Sequence, residues 1–113
     1  MKKLCSKISL VLLLLNAKAY SQSILPVVSK QDAKFSVAIV SDPANADLKV
    51  FRTIVENEAT GNKGVWFIGE GDGPGKTKIY WTKDSAIADI NIFLVNKGSD
   101  AGWLNSRKKN LLD

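Results

Sequence analysis

Asp84-Ser85-Ala86-Ile87-Ala88-Asp89-Ile90-Asn91-Ile92-Phe93 repeats a pattern already present at Asp42-Pro43-Ala44-Asn45-Ala46-Asp47-Leu48-Lys49-Val50-Phe51. The two stretches share Asp42/Asp84, Ala44/Ala86, Ala46/Ala88, Asp47/Asp89 and Phe51/Phe93, and two further positions change only among branched aliphatics. Each opens with turn residues and closes with an alternating apolar run, the signature of a turn feeding a half-buried strand. The same beat runs beyond the repeat: Ala46 to Ala59, Phe67 to Tyr80 and Tyr80 to Phe93 are each 13 residues, and an insertion around Gly61-Asn62-Lys63 lengthens one interval. A unit of 13 holds one short strand and one turn, too little for a helical hairpin or a propeller blade. The expected fold is all-β, mostly strand with long turns.

Expected strands cover residues 35–40, 48–55, 65–68, 78–82 and 90–95, with at most one helical turn at 85–88. The run 65–68 is continuously apolar and so calls for cover on both faces. Within each repeat the terminal phenylalanine brings apolar area and the alanines let the turn approach a neighbouring strand. Asp42, Asp47, Asp84 and Asp89 flank the turns, where a carboxylate accepts backbone N–H groups two or three residues on. Their recurrence at equivalent positions points to a structural job.

Residues 1–21 have the layout of a secretory signal peptide: Lys2, Lys3 and Lys7, a mostly apolar run from Ile8 to Leu15, then small residues before a cut after Ala19 or Ser21. That run is far short of a bilayer span, so no membrane span is expected in the mature form. The expected product is exported, periplasmic or secreted. Residues 22–34 read as a short extended arm, and residues 35–113 as the repeat-built domain. The net charge of +5 falls to +1 once four lysines leave with the leader, which removes the case for a nucleic-acid partner. Cys5, the one cysteine, leaves too, and the sequence has no histidine. Disulfides and the commonest transition-metal ligands are thereby excluded, and no cofactor is expected.

Four candidate chemistries weigh poorly against their structural alternatives. Glu70-Gly71-Asp72-Gly73-Pro74-Gly75-Lys76-Thr77 ends like a phosphate-binding loop, but Glu70 replaces the first glycine and a strand, not a helix, follows. Glu70 and Asp72 could contribute to a weak calcium site, though the loop lacks the spacing of a dedicated one. Asp42/Asp84 or Asp47/Asp89 could pair for acid–base work, yet catalysis needs two carboxylates in different environments and a repeat supplies similar ones. The serines have no histidine to activate them. Trp81 and Tyr80 are the candidates for an exposed binding face, because adjacent strand residues point opposite ways.

The units Ala46-Asp47-Leu48-Lys49-Val50-Phe51 and Ala88-Asp89-Ile90-Asn91-Ile92-Phe93, with the closing Ala101-Gly102-Trp103, resemble a small bacterial family of domains of unknown function. The resemblance covers roughly residues 35–112 and implies a β fold whose backbone forms a seven-crossing torus knot, the septoil knot. Gly75-Lys76 departs from the Ala-Asp of the other units. The family carries no known activity, so no catalytic residues come with it. The expected function is a non-catalytic stable scaffold or binding module; the alternatives are a carboxylate- or lysine-based hydrolase, and a homo-oligomer that pairs strand edges between chains. The ligand or partner is unknown from sequence.

Overall fold

A single kind of turn launches most of the strands. At Pro43–Asn45 the Asp42 carboxylate accepts the Ala44 N–H at 2.9 Å, and the Ala46 N–H donates back to Pro43 O at 3.1 Å. Ala46 itself is extended and hands the chain to the next strand. Ala33, Ala59 and Ala101 end equivalent one-turn 3-10 segments at Lys30–Asp32, Glu56–Glu58 and Gly98–Asp100. Asp84 builds the remaining copy by accepting the Ala86 N–H at 3.0 Å, so residues 85–87 form a hydrogen-bonded turn rather than a helix.

The computed structural model describes residues 22–69 and 75–112. Its strands are β1 (Ser23–Pro26), β2 (Phe35–Ile39), β3 (Leu48–Arg52), β4 (Val65–Ile68), β5 (Thr77–Trp81), β6 (Ile90–Val95) and β7 (Gly102–Trp103). The first six run parallel, in the order β4-β1-β5-β2-β6-β3, and β3 pairs with β4 to close the ring. Strands of the first lap, β1 to β3, therefore alternate with strands of the second, β4 to β6. Each connection steps past one strand, except β3 to β4, which join neighbours.

Register explains how such short turns join parallel strands, which ordinarily need long crossovers. Ile79 is level with both Pro26 and Phe35, so β2 begins where β1 ends. Ile92 is level with Ile39 and Leu48, so β3 begins where β2 ends. The chain advances round the ring and never has to return along it. Two laps, each filling the gaps of the other, are the arrangement from which a torus knot is made.

Alternation sends Leu48 and Val50, Ile90 and Ile92, and Val37 and Ile79 into the ring, where each is fully buried with Ile24 and Trp66. Phe51 and Phe93 fall on the other parity and are half-buried; the Phe51 ring lies close under Gly98 in the following turn. Val65, Phe67 and Ile68 are half-buried around Trp66, as an apolar run covered on both faces requires. Gly64 sits where β4 and β7 meet the edge of β3. With φ at +90° and a notional Cβ at 2.4 Å from Lys49 O, no other residue fits there.

Three expectations change. The stretch 22–34, read as an arm, supplies β1, which lies between β4 and β5 and buries Ile24. The strand expected over 48–55 stops at Arg52, because the Thr53 hydroxyl oxygen accepts the Val55 N–H at 3.1 Å and turns the chain, leaving Ile54 exposed. Pairing of strand edges between chains has little to use: β1 to β6 each have neighbours on both sides, and β7 is two residues long. Beyond β7, Ser106–Leu112 is a 3-10 segment that returns to the ring and buries Leu112 in the core.

Candidate functional site

Asp47 and Asp89 occupy the same place in their repeats and make the same contact, though not the local one expected. The Asp89 N–H donates to Ser36 O at 3.1 Å while its carboxylate accepts the Ser36 N–H at 2.8 Å, with the Ser36 hydroxyl also at 3.2 Å. The Asp47 N–H donates to Asn91 O at 2.7 Å and its carboxylate accepts the Asn91 N–H at 2.8 Å. Each aspartate thus clamps a strand of the other lap, whereas Asp42 and Asp84 bond within their own turns. The residue pattern alone could not separate these roles, because the clamped partners lie 44 and 53 residues away.

Asp47 carries more than Asp89. Its carboxylate also accepts the Asn105 side-chain amide at 3.2 Å and the Lys108 ammonium at 3.2 Å, and its carbonyl oxygen accepts the Leu104 and Asn105 N–H groups. Burial pushes its pKa up, but the Asn91 N–H, the Asn105 amide and the Lys108 ammonium outweigh that and hold it below the ordinary value of 3.8. An acid held ionised by its donors is suited to fastening strands. It is poorly suited to giving up or taking a proton near neutral pH.

Two further places gather polar groups. The buried Ser23 hydroxyl donates to Glu56 at 2.6 Å, and Lys76 stands 3.9 Å from the same carboxylate oxygen and 5.7 Å from the centre of the Phe67 ring. Ser23 is 2% exposed, which leaves no approach for a substrate. The other place is a shallow open depression of about 400 Å³ lined by Ile39, Trp81, Thr82 and Lys83. Trp81 and Ile39 share the parity of the core residues Ile79 and Val37. Trp81 is half-buried against the core, whereas Ile39 is 54% exposed. The Asp84 N–H donates to the Thr82 hydroxyl oxygen at 3.2 Å.

Of the residues predicted for a binding face, Trp81 lines this depression, and Tyr80, also half-buried, points to the opposite face. Glu70 and Asp72 lie outside the described residues. Ala46 is buried, Ala88 and Ala101 are half-buried at the ends of their turns, and Gly102 and Trp103 form β7. The Trp103 indole N–H donates to Asn62 O at 3.1 Å, which ties β7 to the chain that enters β4. Among the described residues no group of three or more His, Cys, Asp or Glu side chains could hold a metal ion. No helix among them is long and apolar enough to cross a membrane.

No curated protein and no solved structure matches this chain. The model of the 7(1) septoil knot domain matches residues 21–104, which span all seven strands and the turns that interleave them. By that match the chain belongs to the septoil knot domain family.

Proposed function

We propose that this small knotted domain is an exported, non-catalytic scaffold whose winding resists unfolding and proteolysis, and that it meets its partner through the Trp81 depression. The observation that carries the reading is the commitment of Asp47 and Asp89, the best-placed carboxylates, to backbone amides of the opposite lap. They hold the ring together, and the ring interior is filled by apolar side chains rather than left as a cleft. A chain threaded in this way comes fully unwound only by drawing an end back through the ring, and the reading places its persistence in the resulting unfolding barrier. Export agrees with the layout of residues 1–21 and with a working place where proteases, not turnover machinery, set a protein's lifetime. Trp81, half-open beside Thr82 and Lys83, offers an apolar face with polar groups at its rim, the composition of a contact surface.

The test is survival of residues 22–113 in a broad-specificity protease. The reading expects the folded domain to stay intact for days, and K83A, at the exposed rim of the depression, to survive as long as the parent. Cleavage within minutes at ring strands would refute it. Hydrolysis of ester or glycoside substrates that disappears in D47N or D89N while the fold persists would replace it with the hydrolase reading.

A further inference from the structure

The seam of the ring is its least-paired sector. β4 contributes two partner pairs to β3 (Phe51 with Val65, Arg52 with Trp66) and two to β1, whereas β3 and β6 share four. The chain enters β4 through the inserted Gly61-Asn62-Lys63, and the other half of the β3 edge is taken by β7 at Leu48 and Lys49. Residues 104–112 run across this sector and touch the leading end of each strand in it. Ahead of β3, Asp47 receives the Leu104 and Asn105 N–H groups, the Asn105 amide and the Lys108 ammonium. Ahead of β4, the Asn62 side-chain amide donates to Lys109 O at 3.1 Å. Ahead of β1, the Gln22 amide reaches Leu112 O at 3.5 Å, and the Leu112 side chain, 4% exposed, enters the core.

We infer that residues 104–112 form a latch over the β3–β4–β1 seam, which opens as a unit separately from the ring and whose opening is the first step of unfolding. The inference stands on three anchors of unequal strength. Lys108 is one-third exposed and its bond to Asp47 is screened by solvent, and the Gln22 contact is long. The latch, residues 104–112, contains no strand, so it can lift without breaking any pairing among β1 to β6. Its residues from 105 on also lie beyond the span matched by the family model, 21–104. Lifting it uncovers the Leu112 slot in the core and leaves β4 held by its short pairings, by buried Trp66 and by the Trp103 bond to Asn62.

The consequence for unfolding rests on the kinetic-scaffold reading; the opening itself does not. Native-state hydrogen exchange on residues 22–113 separates the two. The Leu104, Asn105 and Lys108 amides should exchange well ahead of the Val40, Asp47 and Phe51 amides, which are bonded within the ring. K108M and N105A should each speed exchange of the latch amides about three- to tenfold and leave the ring amides unchanged. L112A should raise the unfolding rate with a smaller effect on the refolding rate. Latch and ring amides exchanging at one common rate, or K108M moving both sets equally, would overturn the latch. Separate latch exchange combined with rapid global unfolding would keep the latch and refute the scaffold.

Discussion

Removing the Asp47 carboxylate is the sharpest perturbation of the seam. D47A strips the acceptor from the Asn91 N–H, from the Asn105 amide and from the Lys108 ammonium at once. The Asn91 bond lies between laps, and a backbone N–H donating to a charged acceptor there contributes about 1.5 kcal/mol. The other two are nearer solvent and contribute about 0.5–1 kcal/mol each, so the expected loss is about 3 kcal/mol. D89A loses the Ser36 N–H and hydroxyl bonds at a more exposed site and should cost about 1–2 kcal/mol. D42A and D84A lose one local turn bond each, about 0.5–1 kcal/mol. Urea transitions, incubated until unfolding and refolding curves coincide, give the four values from midpoints at constant slope. Equal costs for D47A and D42A would refute the distinction between interlap clamps and turn caps.

Stability should also fall in acid with a component that belongs to Asp47. Because its folded pKa lies below 3.8, the contribution is complete above the unfolded value and fades as pH drops below it through the folded one; D47N should lack this component when midpoints are compared at pH 6 and pH 3. G64A should cost more than about 3 kcal/mol, or abolish folding, because it adds both a left-handed strain and a clash with Lys49 O; far-ultraviolet circular dichroism after refolding reads this directly. Trp66 is fully buried, and its indole N–H has no hydrogen-bond partner among the described residues. W66A should therefore cost about 3–5 kcal/mol for its cavity, while W66F should cost much less, since the group it removes is unpaired; the same urea midpoints decide it.

The thirteen-residue beat was legible because turn and strand lengths are local. It extends further than the repeat first suggests: Ala33 and Ala101 fall 13 residues on either side of Ala46 and Ala88, and each ends a turn of the same kind. Reading Ala33 as the end of a turn would have made residues 22–34 a unit with its own strand, as β1 is. Nothing local announces the interleaving. Whether β2 lies beside β5 and β6 or beside β1 and β3 depends on where the ring closes, and short apolar strands of equal length accept many partners. The clamps show the same division. Asp47 and Asp89 are recognisable as repeated acids, but their donors become visible only when Asn91 and Ser36 are brought alongside by the second lap. Trp81 was found from the alternation of one strand, whereas Ile39, its neighbour in the depression, comes from β2 and carries no sign of exposure in its own run.

The central claim is that two laps of chain are threaded through one another and that this fixes the protein's lifetime. The most direct measurement is the unfolding rate of residues 22–113 in strong denaturant, followed by tryptophan fluorescence and extrapolated to water. The threaded ring predicts a rate at or below about 10⁻⁶ s⁻¹, the slow limit for small two-state domains, with refolding slower than the roughly 10–100 s of proline isomerisation. Single-exponential unfolding and refolding within seconds would contradict it, and would mean that the strands part as they do in any small β domain.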